Sequence, residues 1–172
     1  MRGYGMLDRE LEYAAEMESA ERTFARTHPG GVNAGDDSLE LWNYLVDSAD
    51  PRPEHLAAIR SAAVRLAARA FTDDTFAIEI VGHASESGTP ALNVPLARLR
   101  ARRAADEFLR AVRNELVARG NDIGRVELFL GDLQNRLTVR GVGTSQPAVP
   151  GARTPADLAR NRRVEIFITA QA

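Results

Sequence analysis

The sequence predicts an α+β fold, a two-layer α/β sandwich of βαβαβ order. Two long helices are expected on one face of a mixed sheet, with a further helix at the N-terminus. Three observations carry this expectation. Phe76-Ala77-Ile78-Glu79-Ile80-Val81 and Val164-Glu165-Ile166-Phe167-Ile168-Thr169 alternate with period two, as half-buried strands do. Glu79 and Glu165 fall on the face opposite Ile78, Ile80 and Ile166, so the sheet is covered on one side only. Two amphipathic segments with apolar residues at three- and four-residue steps are long enough to cover that side.

Residues 6 to 27 read as the N-terminal helix, because Leu7, Leu11, Ala14, Met17, Ala20 and Phe24 recur at helical spacing. His28-Pro29-Gly30-Gly31 ends it, and Asn33 to Asp37 continue as a polar linker. A lone helix of this length is marginal in water, so it packs, either on its own domain or on another chain. The expected division is a helical extension and linker over 1–34 and a folded domain over 35–172, with the helix dispensable for folding. Leu39 to Val46 is expected as a strand. Asp50-Pro51-Arg52-Pro53 stops it and opens a helix with Leu56, Ile59, Ala63, Leu66 and Ala70 on one face. Leu96, Ala101, Ala104, Phe108 and Val112 mark the second long helix, which ends near Gly120. Asn93 is expected to cap it, with Pro95 in its first turn. Val126 to Leu130 and Leu137 to Val142 are expected as a further hairpin around Gly131-Asp132.

Composition narrows the classes of function. The chain has 172 residues and a net charge of −2, and all 22 of its basic residues are arginine. That balance creates no overall field toward nucleic acid or an anionic membrane. Arg98, Arg100, Arg102 and Arg103 form a basic run, but Asp106 and Glu107 follow and no aromatic is interleaved, so no nucleic-acid partner is expected. The absence of cysteine excludes thiolate catalysis, cysteine zinc sites and disulfides. No apolar run approaches the roughly 18 residues that span a bilayer, so no membrane insertion is expected. His83 has only His28 and His55 as companions, at no metal-ligand spacing, and is expected to make a structural hydrogen bond. Ser85 and Ser87 do not form a nucleophile elbow. The reading is therefore of a non-catalytic protein without metal or cofactor.

The most informative segment runs from Gly82 to Ala101, GHASESGTPALNVPLARLRA. A strand ends at a glycine, a small polar loop follows, and a helix begins. Such a loop lies at the positive end of a helix dipole, a ready site for a carboxylate. Arg100 projects from the second turn, where its planar fork can clamp a carboxylate with two bonds.

This segment resembles the signature of the OmpA-like C-terminal domain family, of the Pal and MotB type. Gly82, His83, Gly88, Asn93, Leu96, Arg100 and Ala101 all fall at the family spacing. Asn161-Arg162-Arg163-Val164-Glu165-Ile166 resembles its closing signature, Gly143 and Pro147 its lead-in, and Asp47 the acid ending its first strand. The resemblance covers about residues 39 to 170. It implies a module that binds peptidoglycan by gripping the diaminopimelate of the stem peptide without covalent attachment. Arg100 matches the arginine that holds the diaminopimelate carboxylate. Ser85 stands where the family has the aspartate that holds the amine, with Glu86 beside it as a substitute acid, so the implied binding is weak and Ser85→Asp is expected to strengthen it. Asp47, Asn93 and Arg163, with Arg162 as its neighbour, complete the implied ligand-binding set. The implied location is the cell envelope or periplasm; the chain as given, without an export signal, reads as cytoplasmic if complete. The alternative is a structural adaptor that has lost the wall ligand and docks a protein partner through its N-terminal helix or extra hairpin. Leu41-Trp42-Asn43-Tyr44 through Pro53-Glu54-His55 resembles versions of the domain that accompany contractile injection systems, which keeps that alternative open.

Overall fold

Helices and strands alternate along a computed structural model that describes residues 4–72, 75–87 and 89–171. The described elements are α1 (Tyr4–Thr27), β1 (Gly31–Ala34), β2 (Ser38–Trp42), α2 (Pro53–Arg69), β3 (Thr75–Gly82), α3 (Pro90–Ala118), α4 (Ile123–Asn135), β4 (Leu137–Gly141), α5 (Pro155–Asn161) and β5 (Arg163–Gln171). The strands form one mixed sheet in the order β1-β2-β5-β3-β4. The β3–β4 pair is parallel and the other pairs are antiparallel. The α+β sandwich with an N-terminal helix is what the period-two strands and the two long helices predict.

Period decides which side chains are buried. Phe76, Ile78 and Ile80 of β3 and Val164 and Ile166 of β5 point under the helices, while Glu79 faces away and pairs with Arg140. Ile59 and Leu66 of α2 and Phe108 and Val112 of α3 close the core from above. Each large apolar side chain buried in this way contributes about 1.5–3 kcal/mol. On α3, the alanines at 97, 101, 104 and 105 are all buried, and they let the helix backbone approach the sheet closely. Gly82 is required there, because a Cβ at 82 would lie 1.8 Å from the Ala97 carbonyl oxygen.

Four local expectations are corrected. The polar stretch after Gly31 holds an edge strand rather than a linker: β1 pairs with β2 from Gly31↔Trp42 to Ala34↔Leu39. A division at residue 34 therefore falls inside a hairpin. The strand expected over Leu39–Val46 ends at Trp42, because Asn43 turns into the left-handed region at φ 57°. Residues 126–130 are helical, not half of a hairpin. Val126, Phe129, Leu130 and Leu133 sit at i, i+3, i+4 and i+7, and α4 packs that stripe on the core after Asp122 caps it through the Arg125 amide. Finally, α3 starts a turn earlier than expected. Thr89 is its N-cap residue, and Asn93 lies buried inside its first turns.

Candidate functional site

The strand directions bring the signature segments to one edge of the sheet. β2 and β3 both run antiparallel to β5, so they end where β5 begins, and β4 ends beside β3. The loops after Trp42, Gly82 and Gly141 therefore meet Arg162 and Arg163, together with the N-termini of α2 and α3. The last turns of α1 lie across this edge. Arg52 holds them there by donating to the carbonyls of Ala25 at 2.7 Å and His28 at 2.8 Å. Asn43 adds bonds to His28 and Pro29.

Arg100 lies beneath the loops, 1% exposed. Its guanidinium donates to the carbonyls of Ser48 at 2.9 Å, His83 at 3.1 Å and Leu45 at 3.1 Å, and it stacks over the Tyr44 ring. One arginine thus staples two loops. Burial draws its pKa down to about 10, helped by the neighbouring Arg162 charge and opposed by Tyr44, Glu21 and Asp47. It keeps its charge at neutral pH.

Beside it sits an ion pair sealed from solvent. The Arg162 guanidinium, 1% exposed, donates to Glu21 of α1, whose side chain is 0% exposed. Arg162 also donates to the Tyr44 carbonyl at 2.7 Å and to Asn43 Oδ1 at 3.0 Å. Burial lowers the Arg162 pKa, and the Glu21 carboxylate opposes that shift. Ser85 donates its hydroxyl proton to Glu21 Oε1 at 2.8 Å, so Ser87 is the donor in its 2.8 Å contact with Ser85. The second Glu21 oxygen, Oε2, is buried and has no partner among the described residues. Two guanidiniums and one carboxylate leave this interior with a net charge of +1. A cluster of that sign is suited to holding a carboxylate.

No family model matches the chain, and no curated protein matches it. Solved structures do. The peptidoglycan-associated lipoprotein from Burkholderia pseudomallei aligns at 19% identity, over 76% of this chain and 89% of that chain, with a TM-score of 0.51. A MotB-like protein from Desulfovibrio vulgaris aligns at 21% identity over 96% and 99%, with a TM-score of 0.52. The C-terminal domain of Helicobacter pylori MotB aligns at 16% identity over 84% and 87%, also at 0.52. The fold is that of the OmpA-like domains of Pal and MotB type.

Within this OmpA-like fold, the expected site residues separate into two groups. Ser85 and Arg100 reach the Glu21–Arg162 cluster, and Asp47 stands at its rim. Asp47 adopts the left-handed conformation at φ 58° and pairs with Arg22 of α1, its side chain 70% exposed. Arg163 turns away from the cluster. It donates to Glu165 Oε1 at 2.8 Å and to the Gln146 carbonyl at 3.1 Å. His83 Nε2 lies 2.7 Å from the same Glu165 oxygen, and these two neighbours hold the Glu165 carboxyl below the usual range, His83 more than Arg163. Asn93 is buried on α3. Gly88, which matches the family spacing, lies outside the described residues. Asn161 serves the lead-in loop, gripping both backbone groups of Val149 at 2.8 and 3.0 Å.

Sequence reasoning missed Glu21. It is one of several acids on a helix, and the cation that buries it is 141 residues away along the chain. One local signal was available: Met17, Glu21 and Ala25 are spaced by four, and an acid inside such a stripe needs a buried cation. Among the described residues, no group of acids and histidines could hold a metal ion, and no helix is long and apolar enough to cross a membrane.

Proposed function

We propose that this domain is a non-catalytic peptidoglycan-binding module that grips a carboxylate of the diaminopimelate stem peptide at this edge of the sheet. The observation that carries the reading is the Glu21 carboxylate, fully buried against Arg162 and Ser85 with Arg100 behind them. A pocket that already houses one carboxylate has the charge and the donors for another. In this reading Arg162 and Arg100 supply the positive charge, the Ser85 hydroxyl donates one bond, and Asp47 at the rim faces the ligand's amine. Asn93 and Arg163 act as supports for the loops. Binding of this kind belongs in the cell envelope, where peptidoglycan lies. The Pal and MotB-type neighbours, one of them named as peptidoglycan-associated, support the same assignment.

Diaminopimelate is lysine with one more carboxylate, on the carbon that bears the terminal amine, so lysine-type peptides provide the control. A soluble diaminopimelate muropeptide should bind, and its lysine counterpart should bind about tenfold to a hundredfold more weakly. That is the weight of one hydrogen bond to a charged group, about 1.5–3 kcal/mol. Equal affinity for the two would remove the carboxylate from the recognition. The adaptor reading has one observation in its favour: residues 7–16 of α1 are all exposed, Leu7 and Leu11 among them. It takes over if neither muropeptide binds.

A further inference from the structure

The contacts of α1 with the site repeat the charge pattern of the ligand assigned to it. Glu21 places a carboxylate on Arg162 and Ser85, and the next residue, Arg22, places a cation on Asp47. A carboxylate and a cation side by side are what an amino-acid centre presents. The fit of Glu21 is incomplete, because Oε2 is buried without a partner among the described residues, so the pocket offers more than this residue uses. The hold on α1 is also local. Residues 7–16 are exposed throughout, and burial is confined to the last three turns, at Met17, Glu21, Arg22, Phe24 and Ala25. A cleft of about 510 Å3 runs between Met17 and Glu21 on one side and Glu86, Ser87 and Leu158 on the other. Glu21 lines that cleft, whereas Arg100 and Arg162 do not.

We propose that α1 is a built-in plug: Glu21 and Arg22 occupy the carboxylate and amine positions of the site, and a stem peptide binds only by displacing them. This rests on the peptidoglycan reading for the identity of the ligand, but not for the occupied carboxylate position. Displacement makes the open state a minor one, and the apparent affinity of the unaltered chain is reduced by the fraction that is open.

Three measurements on the full chain test it. A diaminopimelate muropeptide is titrated against the unaltered chain, Glu21→Gln and Glu21→Ala, and either variant should bind at least about tenfold more tightly. Glu21→Gln keeps the volume and an acceptor for Arg162, so it stands in if the alanine variant does not fold. Amide exchange on the unaltered chain follows residues 17–25, which should lose protection when the muropeptide is added. Acetate, the fragment that Glu21→Ala deletes, should raise the thermal midpoint of that variant more than chloride at equal ionic strength, and leave the unaltered chain unmoved. Muropeptide binding that is equal in all forms, with residues 17–25 still protected, overturns the plug and leaves the peptidoglycan reading standing. Acetate rescue without muropeptide binding in any form keeps the occupied carboxylate position and overturns the peptidoglycan reading. The absence of both the rescue and the gain in affinity overturns the plug.

Discussion

Ser85 donates its only proton to Glu21, so a position that the OmpA-like pattern fills with aspartate is committed here to a carboxylate from the chain itself. The two facts belong together. An aspartate at 85 would face the Glu21 carboxylate across a buried contact, and two like charges there would repel; serine allows Glu21 to stay. Ser85→Asp should therefore destabilise the chain by about 1–3 kcal/mol, the range for leaving a buried polar group unpaired. In a Glu21→Gln background the new carboxylate gains an amide donor and most of that cost should disappear. Urea denaturation of the four forms measures the coupling, which should be at least about 1 kcal/mol. Costs that add to within about 0.5 kcal/mol would separate the two residues. The strengthened ligand site that Ser85→Asp alone promises on family analogy is expected only in the double variant.

Among the elements, α2 carries a titration built into its start. His55 Nδ1 accepts the Arg52 amide at 3.1 Å, which makes Nε2 the protonated nitrogen, donating to the Trp42 carbonyl at 2.7 Å. A second proton has nowhere to go without breaking the Arg52 bond. Burial accordingly pushes the His55 pKa down to about 4. With the folded value depressed below the unfolded one, the neutral ring's contribution is present above about pH 6.5 and is lost as the pH falls toward 4. Between pH 7 and pH 5 the loss should be about 2 kcal/mol. Denaturation midpoints at the two pH values should show it, and a His55→Gln variant should show a flatter profile. An unchanged slope in that variant would assign the acid sensitivity to other groups.

β3 and β5 alternate cleanly because one face is core and the other is wet, and α2 and α3 carry apolar stripes that only a helix can align. β1 could not be read, since Gly31-Val32-Asn33-Ala34 is an edge strand whose identity comes from pairing with β2, not from its own pattern. α4 was legible but misread: Val126 and Phe129-Leu130 look strand-like alone, and only Leu133 completes the helical period. The site divides the same way. Arg100 and Ser85 stand out in a continuous motif, whereas Glu21 acquires its role only when the fold brings Arg162 to it.

For the whole molecule, α1 and β1 are integral to the edge where the candidate site lies. A chain starting at Gly35 loses β1, the carbonyls that receive Arg52, and the carboxylate paired with Arg162. Stranding one member of a buried ion pair typically costs about 3–5 kcal/mol. Such a chain should unfold at markedly lower urea, while one starting at Glu16, which loses only exposed helix, should match the full chain within about 0.5 kcal/mol. Equal midpoints for all three would show that the helix adds nothing to the domain. Backbone amide NMR during a diaminopimelate muropeptide titration tests most directly whether the ligand binds at this edge of the sheet. Saturable shifts are predicted in residues 43–48, 83–87 and 162–163, accompanied by 17–25 of α1. Shifts confined to the opposite end of the sheet or to the groove between α2 and α3, or none at all, would contradict it.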